Sequence, residues 1–121
     1  MKQKTWFRKK FTFTFAEGAA GADLIQEYKI PALGELLHIT QVIDDNANGV
    51  TGQLKIADPD STGMYDFGAK AHNASYGFSM NDGTIPRLIL TGDAKFTMTI
   101  SGDPGAGGTT ITVLAYIFGI N

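Results

Sequence analysis

The chain has 121 residues, of which 43% are hydrophobic and only 18% are charged, and its formal net charge is −2 at pH 7. This length predicts one domain with a hydrophobic core of its own. The absence of cysteine excludes disulfides, a thiolate nucleophile and cysteine-based metal sites. No stretch approaches the roughly 18 apolar residues of a membrane helix, and the chain start lacks the apolar run of an export signal. We therefore expect neither a membrane span nor an export signal.

The charge is distributed unevenly along the chain. Residues 1–10 carry +5 and the remaining 111 residues carry −7. We predict a basic N-terminal arm over residues 1–10, followed by a single β-sandwich domain over residues 11–121. A basic arm on an acidic body favours a protein partner over nucleic acid. The alternative is that the lysines flank an aromatic strand and keep it soluble.

The first half of the chain shows the period of two that is typical of strands. Phe7, Phe11, Phe13 and Phe15 share one parity, which predicts a strand that begins near Trp6 and has one apolar face. Residues 24–30 fit either a helical turn or a strand that ends before a proline, and we favour the strand. Residues 36–43 predict a strong strand, with one face formed by Leu37, Ile39, Gln41 and Ile43.

Two polar segments follow, at residues 44–49 and 58–63. The first contains Asn-Gly, which predicts a hairpin turn leading into a return strand over residues 50–56. Both segments also match the first six positions of a calcium-binding loop. That loop normally ends on a bidentate glutamate, and the equivalent positions here are Lys55 and Ala69. We therefore expect turns without a bound metal, and we predict no cofactor.

The second half predicts further strands. Residues 64–73 are interpreted as an irregular surface loop that Tyr65 and Phe67 anchor. Residues 76–80 predict a short strand. Residues 84–91 predict another, and Pro86 marks it either as an edge strand or as the position where the strand begins. Residues 94–120 form two alternating strands around a glycine-rich segment, which we interpret as a central β-hairpin. The whole pattern predicts an all-β fold, an antiparallel β-sandwich of the jelly-roll type with seven to eight short strands.

The sequence contains few residues in the arrangements that catalysis requires. His72 and Asp66 are a possible acid–base pair, but no nucleophile or oxyanion hole accompanies them, so we do not expect an enzyme. Trp6, Tyr65 and Tyr76 are a possible platform for a sugar ring, although anchoring in a core or an interface is favoured. Leu114, Tyr116 and Phe118 present more apolar surface than one sheet face buries, which predicts a homo-oligomer, with a trimer favoured. The predicted interface residues are Lys2, Lys4, Trp6, Arg8, Lys9, Lys10, Tyr116 and Phe118.

Short motifs along most of the chain carry a family resemblance. They are FTFTF at residues 11–15, VTGQ at 50–53, AHN at 71–73, NDGT at 81–84 followed by Pro86 and Arg87, and the final pair of alternating strands. In this order they resemble the small all-β virion proteins of tailed phages, of the capsid decoration or head accessory type. The resemblance implies no functional residue.

What the resemblance implies is a role in the phage particle. It suggests a non-enzymatic structural subunit that binds the major capsid protein or another virion protein, and it places the protein in a virion assembled in the host cytoplasm. The alternative is a carbohydrate-binding or host-attachment module of a phage particle with the same architecture.

Overall fold

The computed structural model describes residues 3–121 and consists almost entirely of strands. One short 3₁₀ helix, Gly21–Leu24, precedes the second strand. Within the described residues no helix is long and apolar enough to cross a membrane. The strands are β1 (Thr5–Phe15), β2 (Ile25–Ile30), β3 (Leu33–Ile43), β4 (Gly52–Ala57), β5 (Gly63–Lys70), β6 (Ala74–Ser79), β7 (Leu88–Thr91), β8 (Ala94–Ile100) and β9 (Thr109–Ile120).

Two antiparallel sheets pack face to face as a β-sandwich. Sheet A has the order β1-β9-β3-β6, with β7 paired to the first part of β3, and sheet B has the order β2-β8-β4-β5. If β7 is set aside, the pairs β1·β9, β2·β8, β3·β6 and β4·β5 are nested within one another along the chain, which is the arrangement of a jelly roll. The predicted fold class is confirmed, with nine strands instead of seven or eight.

The interpretation of residues 94–120 as a hairpin is wrong. β8 lies in sheet B and β9 lies in sheet A, and the segment between them, residues 101–108, crosses from one sheet to the other. The predicted hairpin after β3 is wrong for the same reason, because β3 belongs to sheet A and β4 to sheet B. Alternation identifies a strand and its buried face, but it does not identify the strand's partner.

The predicted loop over residues 64–73 is also wrong for most of its length. Residues 63–70 form β5, which pairs with β4 through a register that shifts twice. Gly68 in this strand has a positive φ of 77°. These irregularities break the period of two, so the sequence does not show the strand. In contrast, the predicted strand over residues 24–30 is confirmed, and it forms β2 after the 3₁₀ helix.

Aromatic side chains of β1 fill much of the space between the sheets. Phe13 and Phe15 are both 1% exposed, and Phe11 packs edge-on against Phe96 of β8. The Phe11 ring also stacks on Tyr28 of β2, with ring centroids 4.3 Å apart. These contacts join sheet A to sheet B, and their burial from water is a main stabilising term of the fold.

The described part of the predicted basic arm is a paired strand. β1 begins at Thr5 and pairs with β9 without a register shift as far as Phe15. Arg8, Lys9 and Lys10 therefore lie in the sheet. A domain boundary at residue 10 stays a prediction from charge, and the strand continues across it.

The ends of β3 and β9 approach each other closely at two glycines. A Cβ atom added to Gly119 would overlap the carbonyl oxygen of Leu33, and one added to Gly34 would overlap that of Phe118. Both obstacles are backbone atoms, which cannot rotate away as a side chain does. The close pairing of β3 with β9 at this end of sheet A therefore requires glycine at both positions.

Replacing Gly119 with alanine is expected to lower the free energy of unfolding by about 2 to 3 kcal/mol, because the added methyl group forces the two strands apart. Urea denaturation measures the change. The matched control is Gly102→Ala, where the added Cβ has no neighbour within 4 Å. Equal effects of the two substitutions would contradict the assigned role of Gly119.

Candidate assembly surface

The outer face of sheet A carries a row of aromatic and basic side chains. The phenylalanines of β1 point into the core, so Trp6, Arg8 and Lys10 point outward. Across the sheet, Trp6 pairs with Phe118 and Arg8 pairs with Tyr116 of β9. The rings of Trp6 and Phe118 lie 4.9 Å apart. Trp6 is nevertheless 72% exposed, so the outer face of sheet A presents a large indole to its surroundings.

A β-bulge in β3 extends this aromatic row. The register of β3 against β9 shifts between Leu36 and His38. As a result Leu36 is fully buried on the same side as Ile39, Gln41 and Ile43, and Leu37, which the sequence pattern grouped with them, is only half-buried. The His38 ring lies 5.5 Å from the Tyr116 ring. The bulge therefore gives the outer face of sheet A two consecutive side chains, Leu37 and His38, where regular alternation would give only His38.

A groove of about 550 Å³ opens on the outer face of sheet A. Its lining is mainly apolar and aromatic, with a few polar groups from β3 and from the residues at the end of β6. Grooves of this size and composition are typical of binding surfaces. The lining residues are Trp6, Leu37, His38, Ser79, Met80, Asn81 and Tyr116.

The structure brings together five of the predicted interface residues and separates the others. Trp6, Arg8, Lys10, Tyr116 and Phe118 share the outer face of sheet A. Lys9 has the parity of the core phenylalanines and is half-buried on the inner side. Lys4 is exposed beside a different groove at the start of β3, and Lys2 lies outside the described residues.

Sequence reasoning missed the contribution of β3 and of residues 79–81 to this surface. The alternation in β3 places His38 on the polar side of the strand, but it does not show that this side adjoins Tyr116. Neighbouring strands in sheet A are far apart in sequence, since His38 pairs with both Tyr116 and Ser79. No local signal in the sequence reports such a pairing.

The outer face of sheet B has a different character. The cross-strand row Glu27, Thr97, Lys55 and Asp66 alternates acidic, neutral and basic side chains. Asp66 accepts two hydrogen bonds at 2.9 Å from the Gln53 amide. Mixed charge of this kind is typical of a solvated surface. Among residues 3–121, in contrast, Arg8 and Lys10 form no ion pair on the outer face of sheet A.

Four loops meet at one end of the sandwich, which we name the acidic loop end: residues 16–24, 44–51, 71–73 and 101–108. They hold no lysine or arginine, and they contain Glu17, Asp23, Asp44, Asp45 and Asp103. Hydrogen bonds tie the loops together, including one from the Gly18 amide to Asp103 (2.9 Å) and one from the Asn48 side chain to the Asp103 carbonyl (2.9 Å). This end of the molecule is therefore a connected, negatively charged surface.

The two calcium-like segments act as turns. The Asn46 side chain accepts a hydrogen bond from the Val50 amide at 2.7 Å, and Asp60 accepts one from the Thr62 amide at 3.0 Å. Across residues 3–121 no three His, Cys, Asp or Glu side chains are grouped in a way that would hold a metal ion. His72 contacts Asp45 at 2.8 Å rather than Asp66, the partner considered from the sequence. The side-chain oxygens of Asn46 and Asp60 thus close the backbone turns themselves.

Comparisons with known proteins identify solved structures of similar fold but no matching family. No family model matches the chain, and no curated protein matches it. Among solved structures, the chain is similar to the capsid structure of the Helicobacter pylori bacteriophage KHP30, with 15% identity, a TM-score of 0.55, and 97% of this chain and 93% of that chain covered.

Two further solved structures have similar scores. The Drosophila NLP core shares 7% identity at a TM-score of 0.51, with 97% of this chain and 100% of that chain covered. A Bacillus endospore appendage protein shares 13% identity at a TM-score of 0.50, with 99% and 93% covered. At these identities the likeness shows a shared β-sandwich fold.

The acidic loop end predicts a specific pH dependence of stability. Hydrogen bonds from the backbone amides of Gly105 and Gly18 lower the pKa of Asp103 below its usual value of 3.8. The unfolded chain therefore binds the proton more readily than the folded chain. The stability contributed by Asp103 is present above about pH 4 and is lost as the pH falls through the lower folded pKa.

We expect Asp103→Asn to be less stable than the wild type at pH 7, and we expect this difference to shrink below about pH 4. Urea denaturation at several pH values between 2 and 7 measures it. Asp44→Asn removes the same charge from the same end of the molecule and is the control. If the difference in the free energy of unfolding between wild type and Asp103→Asn stays constant over this pH range, the carboxylate does not accept stabilising hydrogen bonds from these amides.

Proposed function

We propose that the chain is a non-enzymatic structural subunit of a phage particle, of the capsid decoration or head accessory type, and that the outer face of sheet A is its assembly surface. The observation that carries the proposal is the aromatic row of exposed Trp6 and Tyr116 with half-buried Phe118 on the outer face of a hydrogen-bonded sheet. Aromatic residues and arginine are enriched at the centres of protein interfaces, and an apolar patch left open on a rigid sheet is typical of a surface that binds another protein.

Fold and sequence resemblance support the same proposal at a coarser level. Jelly rolls build many viral shells, and a phage capsid structure has this fold at 15% identity. A shared fold does not define a role by itself, so the argument depends on the surface. In this proposal the subunit acts in the virion, assembles as a homo-oligomer with a trimer favoured, and contacts the major capsid protein or another virion protein.

Incorporation into particles tests the proposal. Trp6→Ala is expected to reduce the amount of protein on purified particles at least about tenfold, because truncation of a central aromatic anchor typically weakens an interface by more than 1.4 kcal/mol. Quantitative mass spectrometry of purified particles measures the amount. Truncation of the basic arm is a poorer test, because removing residues 1–10 would delete half of β1 and disturb the fold.

The control variant is Lys55→Glu on the outer face of sheet B, where wild-type incorporation is expected. Circular dichroism shows that each variant is folded before the particles are compared. Absence of the wild-type protein from purified particles would overturn the proposed function. Normal incorporation of Trp6→Ala would instead show that the outer face of sheet A is not the assembly surface.

A second function, a carbohydrate-binding or host-attachment module, has one observation in its favour. The groove of about 550 Å³ places the indole of Trp6 beside the Tyr116 ring, with polar atoms of His38 and Ser79 at its wall. Aromatic platforms of this kind stack on sugar rings. Trp6 is the chain's one tryptophan, so its fluorescence reports on this groove. A glycan that quenches this fluorescence while the protein remains monomeric favours the second function.

A further inference from the structure

Two surfaces of the molecule carry a marked excess of one charge. Arg8 and Lys10 stand on the outer face of sheet A without an acidic partner among the described residues. The pair Arg87–Glu35, at 2.8 Å, also lies on this face and adds no net charge to it. The acidic loop end holds five carboxylates and no lysine or arginine. One subunit therefore presents a cationic surface and an anionic surface that do not neutralise each other.

Both surfaces also expose apolar side chains. The groove on the outer face of sheet A is lined by large rings. At the acidic loop end, Ala16, Ala20 and Ala22 are all exposed, and Ile25, at the start of β2, is 52% exposed. Ala16, Ala22 and Ile25 line a smaller groove of about 330 Å³ together with Glu17 and Asp23. An apolar surface with acidic neighbours complements an aromatic surface with a basic border in charge.

We propose that the outer face of sheet A binds the acidic loop end of a second copy of this chain. The inference rests on the proposed function, because it names the partner of the same assembly surface. Ile25 and the exposed alanines pack against the aromatic side chains of Trp6 and Tyr116. Glu17 and Asp23 of the second copy face Arg8 and Lys10 of the first. The contact is heterologous, since each copy uses two different surfaces.

Charge also disfavours the alternative in which two copies meet face to face. An isologous contact between outer faces of sheet A would bring Arg8 and Lys10 of both copies into one interface, where like charges repel. A heterologous contact, in contrast, closes into a ring when the rotation between copies allows it. The trimer favoured from the sequence would be such a ring.

Self-association in solution gives the first test. The wild-type protein is expected to have a mass above that of the monomer by light scattering at 0.05 M salt, with the Trp6 emission shifted to shorter wavelength. The apparent dissociation constant should rise at least about tenfold at 1 M salt, because the screening length falls from roughly 10 Å at 0.1 M to about 3 Å at 1 M.

Charge reversal gives the sharper test. Because the two sides of a heterologous contact are different surfaces, the charge of each side can be reversed separately. Variant one carries Arg8→Glu with Lys10→Glu, and variant two carries Glu17→Lys with Asp23→Lys. Within residues 3–121 none of these four side chains forms an ion pair, so the fold should not depend on them. Each variant alone brings like charges together in the contact. Each is expected to self-associate at least about thirtyfold more weakly than the wild type.

A mixture of the two variants should recover the heterologous contact and form mixed dimers or even-numbered assemblies, whereas a closed trimer is not expected because a three-membered ring brings two copies of the same variant together. In the mixture the acidic face of variant one meets the basic loop end of variant two, and the remaining pair is that of the wild type. The control reverses Lys55 and Lys95 on the outer face of sheet B, which changes the net charge as variant one does and should leave assembly intact. The three proteins are compared at equal concentration and salt, and their thermal unfolding confirms that they are folded.

Three outcomes would overturn the inference. They are a wild-type protein that stays monomeric at all salt concentrations, a variant that associates as the wild type does, or a mixture that does not assemble. A wild-type protein that is monomeric in solution but present on purified particles would assign the face to another virion protein and leave the proposed function standing. Failure of the proposed function itself would appear as absence from particles.

Discussion

The pairing of the first strand with the last one is the constraint on which the rest of the structure depends. β1 and β9 pair in register from Thr5 with Gly119 to Phe15 with Thr109. β9 also pairs along its other side with β3. One central strand thus joins residues from the beginning, the first third and the end of the chain. Pairings between residues so distant in sequence must overcome a large loss of chain entropy before contacts in the core compensate for it.

The same pairing forms the outer face of sheet A, which is the proposed assembly surface. The side chains of a strand alternate between its two faces. Because the core contains Phe11, Phe13 and Phe15, Trp6 and the neighbouring basic residues face outward. The register then sets Trp6 against Phe118, and the bulge in β3 brings His38 to Tyr116. A shift of one residue in β1 would bury the charged side chains and expose the phenylalanines. Core packing therefore fixes the composition of the outer face of sheet A.

The two outer faces of the sandwich indicate how the fold can serve an assembly. The outer face of sheet B carries alternating charges, whereas the outer face of sheet A has an aromatic centre and a basic border. The loops at one end add a surface of opposite charge, held together by hydrogen bonds around Asp103. In the proposed contact, two surfaces of opposite charge that are already formed in the monomer need little reorganisation on binding, which lowers the entropic cost of association.

Much of the local structure was readable from the sequence, since the strand around Phe11–Phe15, the strand ending at Ile43 and the last two strands all show the period of two. The basic residues and the apolar side chains of β9 predicted an interface, and five of the predicted residues share the outer face of sheet A, although their role in binding stays a prediction. The period of two does not show which strands pair. The hairpin predicted for the last two strands is therefore wrong, because they lie in different sheets.

The place of β5, the bulge at Leu36–His38 and the grouping of five carboxylates at one end likewise followed only from the fold. Alternation is a property of a strand and its own two faces, and it determined what each strand buries. Partners, register shifts and loop neighbours depend on contacts between distant parts of the chain, and only the tertiary structure decided those.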